Sequence, residues 1–208
     1  MATRLYIGDP VIVPLLTKMK LRRDVLLEVA SKTAGERANV EPTEPPPVIG
    51  FETWRWATRF LREEKAIQDD GWTICEEDQV SGIRNAALKI KLIACTTDEN
   101  TGNPGRRPKN VTEKGPAQCR LIARNWGQME LLEKKEEPRD EIWYYCLHAS
   151  EKCISLEISR PDSVVSGIIT NFSDRIILAQ PGDIPGIRRI IVPEDFADVP
   201  KPQVSRKG

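Results

Sequence analysis

The sequence predicts an α+β protein in which N-terminal helices pack on a mainly antiparallel sheet. Apolar residues recur at helical spacing in the first third of the chain, and they alternate with a period of two from Gly71 onward. No strand–helix–strand alternation follows, which argues against a doubly wound parallel sheet. The length of 208 residues fits one domain, so we expect residues 1–208 to form a single α+β domain.

Proline clusters divide the expected domain into parts. Four of the six residues from Pro42 to Pro47 are prolines, and proline neither fits a helix interior nor donates to a sheet. We interpret this stretch as a stiff, extended connector. The expected parts are an N-terminal helical part (1–40), the Pro-rich connector (41–48), an α+β core (49–180) and an extended C-terminal tail (181–208).

Two helices are expected before the main run of strands. Apolar residues at four-residue spacing predict the first over residues 21–35, while Pro14 argues against an earlier helix. The second is expected over residues 53–69. Trp54 and Trp56 lie only two residues apart and cannot both face one core, so one of them is expected to pack against a second surface.

The rest of the pattern indicates short strands. Residues 141–148 are rich in aromatic side chains, and residues 153–159 alternate apolar with polar positions. The short connection between these two strands requires antiparallel pairing. A hairpin or short connection is expected at residues 171–174. The full set of expected strands is 4–7, 72–75, 87–95, 118–124, 141–148, 153–159, 167–169 and 175–178.

The charge balance argues against a protein that coats polyanions along its whole surface. Lysine and arginine number 31, aspartate and glutamate number 31, and the formal net charge is zero. Proteins that coat nucleic acid usually carry a clear excess of positive charge, so any such contact is expected to be local. Zero net charge also gives little repulsion between copies, which favours self-association or a protein partner.

The cysteines and the N-terminal residues indicate a cytoplasmic protein. The five cysteines are odd in number and widely spaced, whereas secreted disulfide scaffolds are smaller and denser in cysteine. We therefore expect reduced thiols and no disulfide. The first residues lack the pattern of a signal peptide, and no stretch approaches 18 apolar residues, so we expect no membrane contact.

One group of residues offers ligands for zinc. Cys146 and His148 are expected to point the same way from one strand, with Cys153 on the next and Cys119 or Cys95 as a fourth ligand. However, the chain has no C-x-x-C pair and no second histidine. We interpret the strand cysteines as small buried residues and expect no metal and no cofactor.

The segment from residue 96 to residue 116 carries the strongest functional signal. It is rich in glycine and proline and lies between two expected strands, and its residues 98–115 are expected to be exposed and poorly ordered. Between Thr101 and Gly115 four cations face one anion, Glu113, so the local charge is 4 − 1 = +3. Backbone N–H groups at glycines, with arginine forks nearby, suit phosphate oxygens, although the spacing matches neither a P-loop nor a dinucleotide fingerprint. The alternative is a mobile, solvated surface loop.

The strand that enters this segment adds two lysines on its polar face. The alternation over residues 87–95 places apolar side chains on one face and Lys89 and Lys91 on the other. We therefore expect six residues to form a nucleic-acid-binding surface. They are Lys89, Lys91, Arg106, Arg107, Lys109 and Lys114.

These observations lead to two hypotheses of function. The first is a non-catalytic cytosolic binding protein that contacts nucleic acid or a protein partner through the Gly/Arg-rich basic loop. The alternative is a metal-dependent phosphodiesterase or nuclease that uses aspartate or glutamate near that loop, which requires at least two acids to converge there. No catalytic residue is assigned. The acids considered for convergence are Glu77, Asp78, Asp98, Glu157 and Asp162.

Overall fold

The computed structural model describes residues 2–41, 43–77, 80–125 and 140–188. These residues form an α+β fold with five helices and a seven-stranded sheet. The helices are α1 (Asp9–Lys18), α2 (Arg23–Ala38), α3 (Pro46–Glu63), α4 (Lys65–Asp69) and α5 (Pro116–Arg124). The strands are β1 (Arg4–Tyr6), β2 (Thr73–Glu77), β3 (Val80–Asn85), β4 (Ile90–Thr96), β5 (Glu141–Ala149), β6 (Cys153–Val165) and β7 (Ile168–Pro185).

The sheet is mixed, so the expectation of a mainly antiparallel sheet is confirmed only in part. Its strand order is β1-β7-β6-β5-β4-β3-β2, and the pairs β1–β7 and β4–β5 are parallel while the other neighbours are antiparallel. The chain between β4 and β5 contains α5 and returns to the end of the sheet where β4 began. Two neighbouring strands joined by such a crossover run parallel.

The two faces of the sheet are covered differently. Leu92 and Ala94 of β4 face the core that the sheet shares with α1, α2, α3 and α4. Ile93 and Cys95 point to the opposite face, where they pack with residues of α5, β5 and β7. This alternation follows from the two-residue period of a strand and agrees with the direction expected for the apolar residues of this segment.

Hydrogen bonds tie the N-terminal helices to the sheet. The Tyr145 hydroxyl donates to the Leu26 carbonyl at 2.8 Å, and the Arg23 guanidinium donates to the Leu178 carbonyl at 2.6 and 3.0 Å. The Trp72 indole N–H donates to the Lys20 carbonyl at 3.0 Å. Side-chain donors therefore satisfy backbone carbonyls at the contact between the helices and the sheet.

The helix boundaries differ from the expected ones because prolines and a glycine lie within helices that were expected to exclude them. α1 forms with Pro14 inside it, since the buried residues Ile12 and Leu16 anchor one side of this helix. α2 continues past Gly35 to Ala38, and packing of its buried face offsets the roughly 1 kcal/mol that glycine costs in a helix. α3 begins at Pro46, because proline has a suitable φ for the first helical turn.

The strand predictions missed β3, began β4 three residues early, and were wrong at two further places. Residues 118–124 lie in α5 rather than in a strand, because Leu121 and Ile122 both pack on the same face of the sheet. Residues 171–174 are continuous strand within β7, and the chain instead turns at Ser166 and Gly167, with φ of 48° and 75°. Strands were correctly predicted within residues 141–148 and 153–159.

The outer limits of the chain are described in part. The expected C-terminal tail starts inside β7, which continues to Pro185, and residues 189–208 lie outside the described residues. The division of the chain into one domain with four parts stays a prediction. Among the described residues, no helix has both the length and the apolar character needed to cross a bilayer.

Candidate nucleic-acid interface

A buried ion pair on β6 and β7 lies on the sheet face that α5 covers in part. Glu157 of β6 and Arg175 of β7 are 0% and 2% exposed. The Arg175 guanidinium donates to Glu157 Oε1 at 2.9 Å and to Oε2 at 2.6 Å, which is a bidentate contact. The Ser159 hydroxyl donates to Glu157 Oε1 at 2.7 Å. Such forked, charge-assisted bonds are among the strongest that side chains form.

The remaining hydrogen bonds of this pair hold the segment between β4 and α5, residues 97–115, which we call the basic loop. The Gly102 N–H donates to Glu157 Oε2 at 2.8 Å. Arg175 donates to the carbonyls of Asn103 at 3.1 Å and Arg106 at 2.8 Å. Three backbone groups of the loop therefore complete the solvation of a buried charge pair.

A second set of contacts fastens the two ends of the basic loop to each other. Asp98 Oδ1 accepts from the N–H groups of Asn100 at 3.2 Å and Lys109 at 3.1 Å. The Asp98 N–H donates to the Lys109 carbonyl at 2.9 Å. Thr97 and Asn110 form an isolated antiparallel bridge, which closes the loop at its base.

Asn110 attaches the loop to the turn between β6 and β7. Its side-chain amide donates to the carbonyls of Thr112 at 2.8 Å and Gly167 at 2.9 Å. Its side-chain oxygen accepts from the Ile169 N–H at 2.8 Å. Because Asn110 is itself 5% exposed, this contact is sheltered from water.

Gly102 is required where the loop crosses β7. Its φ is +73°, and a Cβ at this position would lie 2.2 Å from the Ala179 carbonyl oxygen. A side chain is therefore excluded both by the backbone conformation and by the neighbouring strand.

These contacts correct the expectation that the basic loop is poorly ordered. Thr97, Thr101, Gly102, Pro108 and Asn110 are buried in it. The sequence suggested disorder because few apolar residues are available, but polar side chains and the buried pair supply the anchors instead.

Three of the expected site residues do lie at the surface of the loop. Arg106, Arg107 and Lys109 are exposed, and their side chains have no hydrogen bond or ion pair with the part of the chain that the structure describes. Their positive charges are thus directed to solvent from a backbone that is held in place.

The other expected site residues lie elsewhere. Lys89 is exposed in the turn before β4, at a φ of 54°. Lys91 is 8% exposed and forms ion pairs with Glu77 and, at 3.5 Å, with Asp140. Burial lowers the pKa of Lys91, but the hydrogen bond to Glu77 and the nearby negative charges outweigh it, and the pKa is raised. Lys91 and Thr97 are six residues apart along an extended strand, roughly 20 Å, so these lysines are distant from the loop.

Lys114 directs its charge inward. It is half-buried, and its Nζ lies 5.2 Å from the centroid of the Tyr144 ring. The hydrogen bond with Cys146 lowers the pKa of the buried Cys95 thiol to about 6; burial opposes this shift, and the positive charge of Lys114 assists it. We therefore separate Lys114 from the exposed cations of the loop.

No family model, no curated protein and no solved structure matches this chain.

The carboxylates considered for catalysis do not meet at the basic loop. Glu157 is committed to Arg175, Asp98 bonds the loop backbone, and Asp162 accepts from the Asn171 amide at 2.6 Å. Glu77 contacts Lys91, together with Asp140, and Asp78 lies outside the described residues. Two acids therefore converge on a lysine, but at the start of β4 rather than near the loop.

The expected zinc ligands have separate surroundings. Cys146 is fully buried, the Nδ1 atom of His148 lies 3.2 Å from the Thr97 carbonyl oxygen, and Cys153 lies near Ser150. Among the described residues, no three histidine, cysteine or acidic side chains are placed to hold a metal ion. All five cysteines are free.

Several residues that shape this site were not identified from the sequence. Glu157 was considered as an acid for catalysis, whereas it is completely buried in an ion pair, and Arg175 and Asp140 were not considered. Arg175 could have indicated a buried ion pair, because it lies directly before the apolar run Ile176–Leu178. A charged residue in a buried strand needs a partner of opposite charge.

Removing one member of the buried pair is expected to destabilise the protein strongly. Glu157→Ala leaves the Arg175 charge buried without its partner, which we expect to lower the free energy of unfolding by about 3–5 kcal/mol. Urea unfolding followed by tryptophan fluorescence measures this change.

The double variant Glu157→Met/Arg175→Met serves as the control for the charge itself. It removes both charges, so we expect most of the lost stability to return, because apolar replacements of buried ion pairs are often neutral. The loop should nevertheless lose its anchors and become sensitive to trypsin after Arg106 and Lys109. If the free energy of unfolding of Glu157→Ala lies within about 0.5 kcal/mol of the wild-type value, the pair does not stabilise the fold.

Gly102 and Gly105 give a matched pair of glycine substitutions in the same loop. Gly102→Ala forces a Cβ against the Ala179 carbonyl at positive φ, and we expect a loss of at least about 2 kcal/mol. A Cβ on Gly105 meets only the Asn103 side-chain oxygen, at 3.5 Å, so Gly105→Ala should change stability by less than about 0.5 kcal/mol. Equal effects in thermal unfolding would contradict the described path of the loop.

Proposed function

We propose that this protein is a non-catalytic cytoplasmic binding protein that contacts nucleic acid through the basic loop. The observation that carries the proposal is the set of three exposed cations, Arg106, Arg107 and Lys109. Within the described chain their side chains have no partner, although the backbone beneath them is held by the Glu157–Arg175 pair.

Phosphate oxygens suit this surface for two physical reasons. Arginine offers a planar fork of donors that fits phosphate, and two arginines are adjacent here. In addition, the loop backbone is ordered before any ligand arrives, so binding does not have to supply the free energy of ordering it. The formal net charge of zero means that the attraction is local and that affinity depends on these few residues.

The cytoplasmic setting and the other partners belong to the same proposal. Five cysteines without a disulfide suit a compartment that keeps thiols reduced. A protein with an acidic surface, including another copy of this chain, is the competing ligand for the same cations, and the binding test separates it from nucleic acid.

Removal of the two arginines should weaken binding without loss of stability. We expect Arg106→Ala/Arg107→Ala to lower the affinity for DNA or RNA at least about tenfold and to leave the melting temperature nearly unchanged, because exposed charges contribute little to stability. Three phosphate contacts predict a salt slope of about −2.7 for duplex DNA, and each lost contact should reduce it by about 0.9. Fluorescence anisotropy at two salt concentrations measures both quantities.

A variant with the same charge change elsewhere is the control. Lys18→Ala/Lys65→Ala removes two exposed cations on α1 and α4, and we expect nearly wild-type affinity. Adding Lys109→Ala to the arginine variant should weaken binding further. If no duplex or single-stranded DNA or RNA binds at low salt, nucleic acid is removed from consideration and a protein partner takes its place.

A metal-dependent phosphodiesterase or nuclease is the second candidate. The observation that favours it is the convergence of Glu77 and Asp140 on the buried Lys91, since two acids and a lysine form a set that can hold a divalent cation and orient a water molecule. Against it, Lys91 already balances both carboxylates, and Arg84 donates to Asp140 at 2.8 Å.

An incubation with DNA separates the two candidates. We expect no cleavage of plasmid or single-stranded DNA in Mg²⁺ or Mn²⁺, because Lys91 and Arg84 occupy the acids that a metal would need. The matched variant is Glu77→Gln/Asp140→Asn, which keeps the shapes and removes the negative charges. Cleavage that is lost both with EDTA and in this variant would replace binding by hydrolysis as the function.

A further inference from the structure

An exposed apolar surface adjoins the basic loop, and its members are distant in the sequence. Phe51 is 54% exposed, Val111 is 58% exposed and Ile49 is 37% exposed. We call Phe51 and Val111 the Phe51 surface; Ile49, two residues before Phe51 on the helix, projects from another side of α3. Phe51 lies in the first turns of α3, whereas Val111 belongs to the basic loop and lies against Gly50, the residue before Phe51.

Direct contacts join the two elements at this point. The Thr96 hydroxyl donates to the Gly50 carbonyl at 3.2 Å, and the Val111 N–H donates to the Thr96 carbonyl at 3.0 Å. A Cβ on Gly50 would lie 3.8 Å from Val111 Cγ1, which is ordinary van der Waals contact. The start of α3 is therefore fixed against the returning arm of the basic loop.

The cations of the loop are next to this surface. Lys109 and Val111 are exposed, while Asn110 between them is buried. Alternate residues of an extended segment project from the same side, so Lys109 and Val111 share one side of the loop. Lys109, whose charge no described residue neutralises, therefore projects from the same side of the loop as Val111, which lies against Gly50, the residue before Phe51.

The exposed side of α3 also carries arginine side chains next to aromatic rings. Phe51, Arg55 and Arg59 are exposed and lie four residues apart, on one side of the helix. The guanidinium carbons of Arg55 and Arg59 lie 4.4 and 5.1 Å from the centroid of the half-buried Trp56 ring. Their ion pairs with Glu52 and Glu63 are solvent-accessible, so phosphates can compete for them.

We propose that the Phe51 surface and the basic loop together bind single-stranded nucleic acid, with a base stacked on Phe51 and the phosphates on Arg106, Arg107 and Lys109. This inference rests on the proposed function and narrows its ligand. A duplex hides the faces of its bases, so an exposed phenyl ring beside phosphate-binding cations is of use only for unpaired bases. Stacking on an aromatic side chain with a cationic groove alongside is the common arrangement for single strands.

The test compares an oligothymidylate with a blunt duplex of the same length by fluorescence anisotropy. We expect wild-type protein to bind the single strand more tightly. Phe51→Ala should weaken single-strand binding by about 5- to 100-fold and leave duplex binding unchanged, because stacking is lost while phosphate contacts stay. Phe51→Tyr keeps the ring and should retain the affinity.

Ile74→Ala is the matched control, since Ile74 is also an exposed apolar residue, at 62%, but lies on β2. We expect it to change neither affinity. The single-strand inference is overturned if the wild type binds both ligands equally, or if Phe51→Ala weakens the binding of both equally. In either case the arginine variant still tests whether the basic loop binds phosphates. Failure of every nucleic acid to bind at low salt removes the proposed function itself. A melting temperature for each variant shows that it is folded.

Discussion

The buried pair of Glu157 and Arg175 is the interaction on which the basic loop and one face of the sheet both depend. Two charges removed from water cost several kcal/mol each unless hydrogen bonds replace the lost solvation. Here Glu157 accepts four hydrogen bonds, from Arg175 twice, from Ser159 and from Gly102. Arg175 donates two further hydrogen bonds to backbone carbonyls of the loop. The loop backbone is therefore part of the solvation of the pair and cannot leave without exposing an unbalanced charge.

This coupling explains how a segment rich in glycine and proline can have a defined conformation. Its outward side is open to solvent and carries Arg106, Arg107 and Lys109, while its inward side is held by polar contacts to β6, β7 and the turn at Gly167. Arg175 adds no net positive charge to the surface, because Glu157 neutralises it. The electrostatic attraction of the site consequently comes from the three exposed side chains, and its rigidity comes from a separate, neutral pair.

Much of the fold could be predicted because its long strands carry a clear pattern. The aromatic run of β5 and the alternation of β6 are long enough to distinguish a period of two from a period of 3.6. α5 has only nine residues, and over that length Leu121 and Ile122 fit either period. The stronger signal was Pro116 at the first turn of a helix, which is a preferred position for proline. The parallel pairing of β4 with β5 follows from that helix, so one wrong element also concealed that the sheet is mixed.

The candidate site divides in the same way into what a sequence can reveal and what it cannot. Arg106, Arg107 and Lys109 were predicted correctly as exposed cations, because a side chain that faces solvent needs no partner and its composition alone identifies it. Glu157 and Arg175 meet because Ser159 pairs with Arg175, in a register that is set by shifts between Arg160 and Val164 on the side of the hairpin turn. A slip of one residue would move each side chain to the other face of the sheet. Lys91 was predicted to lie at the surface because its ion-pair partner Asp140 is 49 residues away in the sequence. The two residues come together only because β4 pairs in parallel with β5 after a crossover connection. Buried charges that form ion pairs therefore cannot be recognised until the register of the sheet is known. In this protein the buried pair holds the loop backbone and so determines the position of the exposed cations.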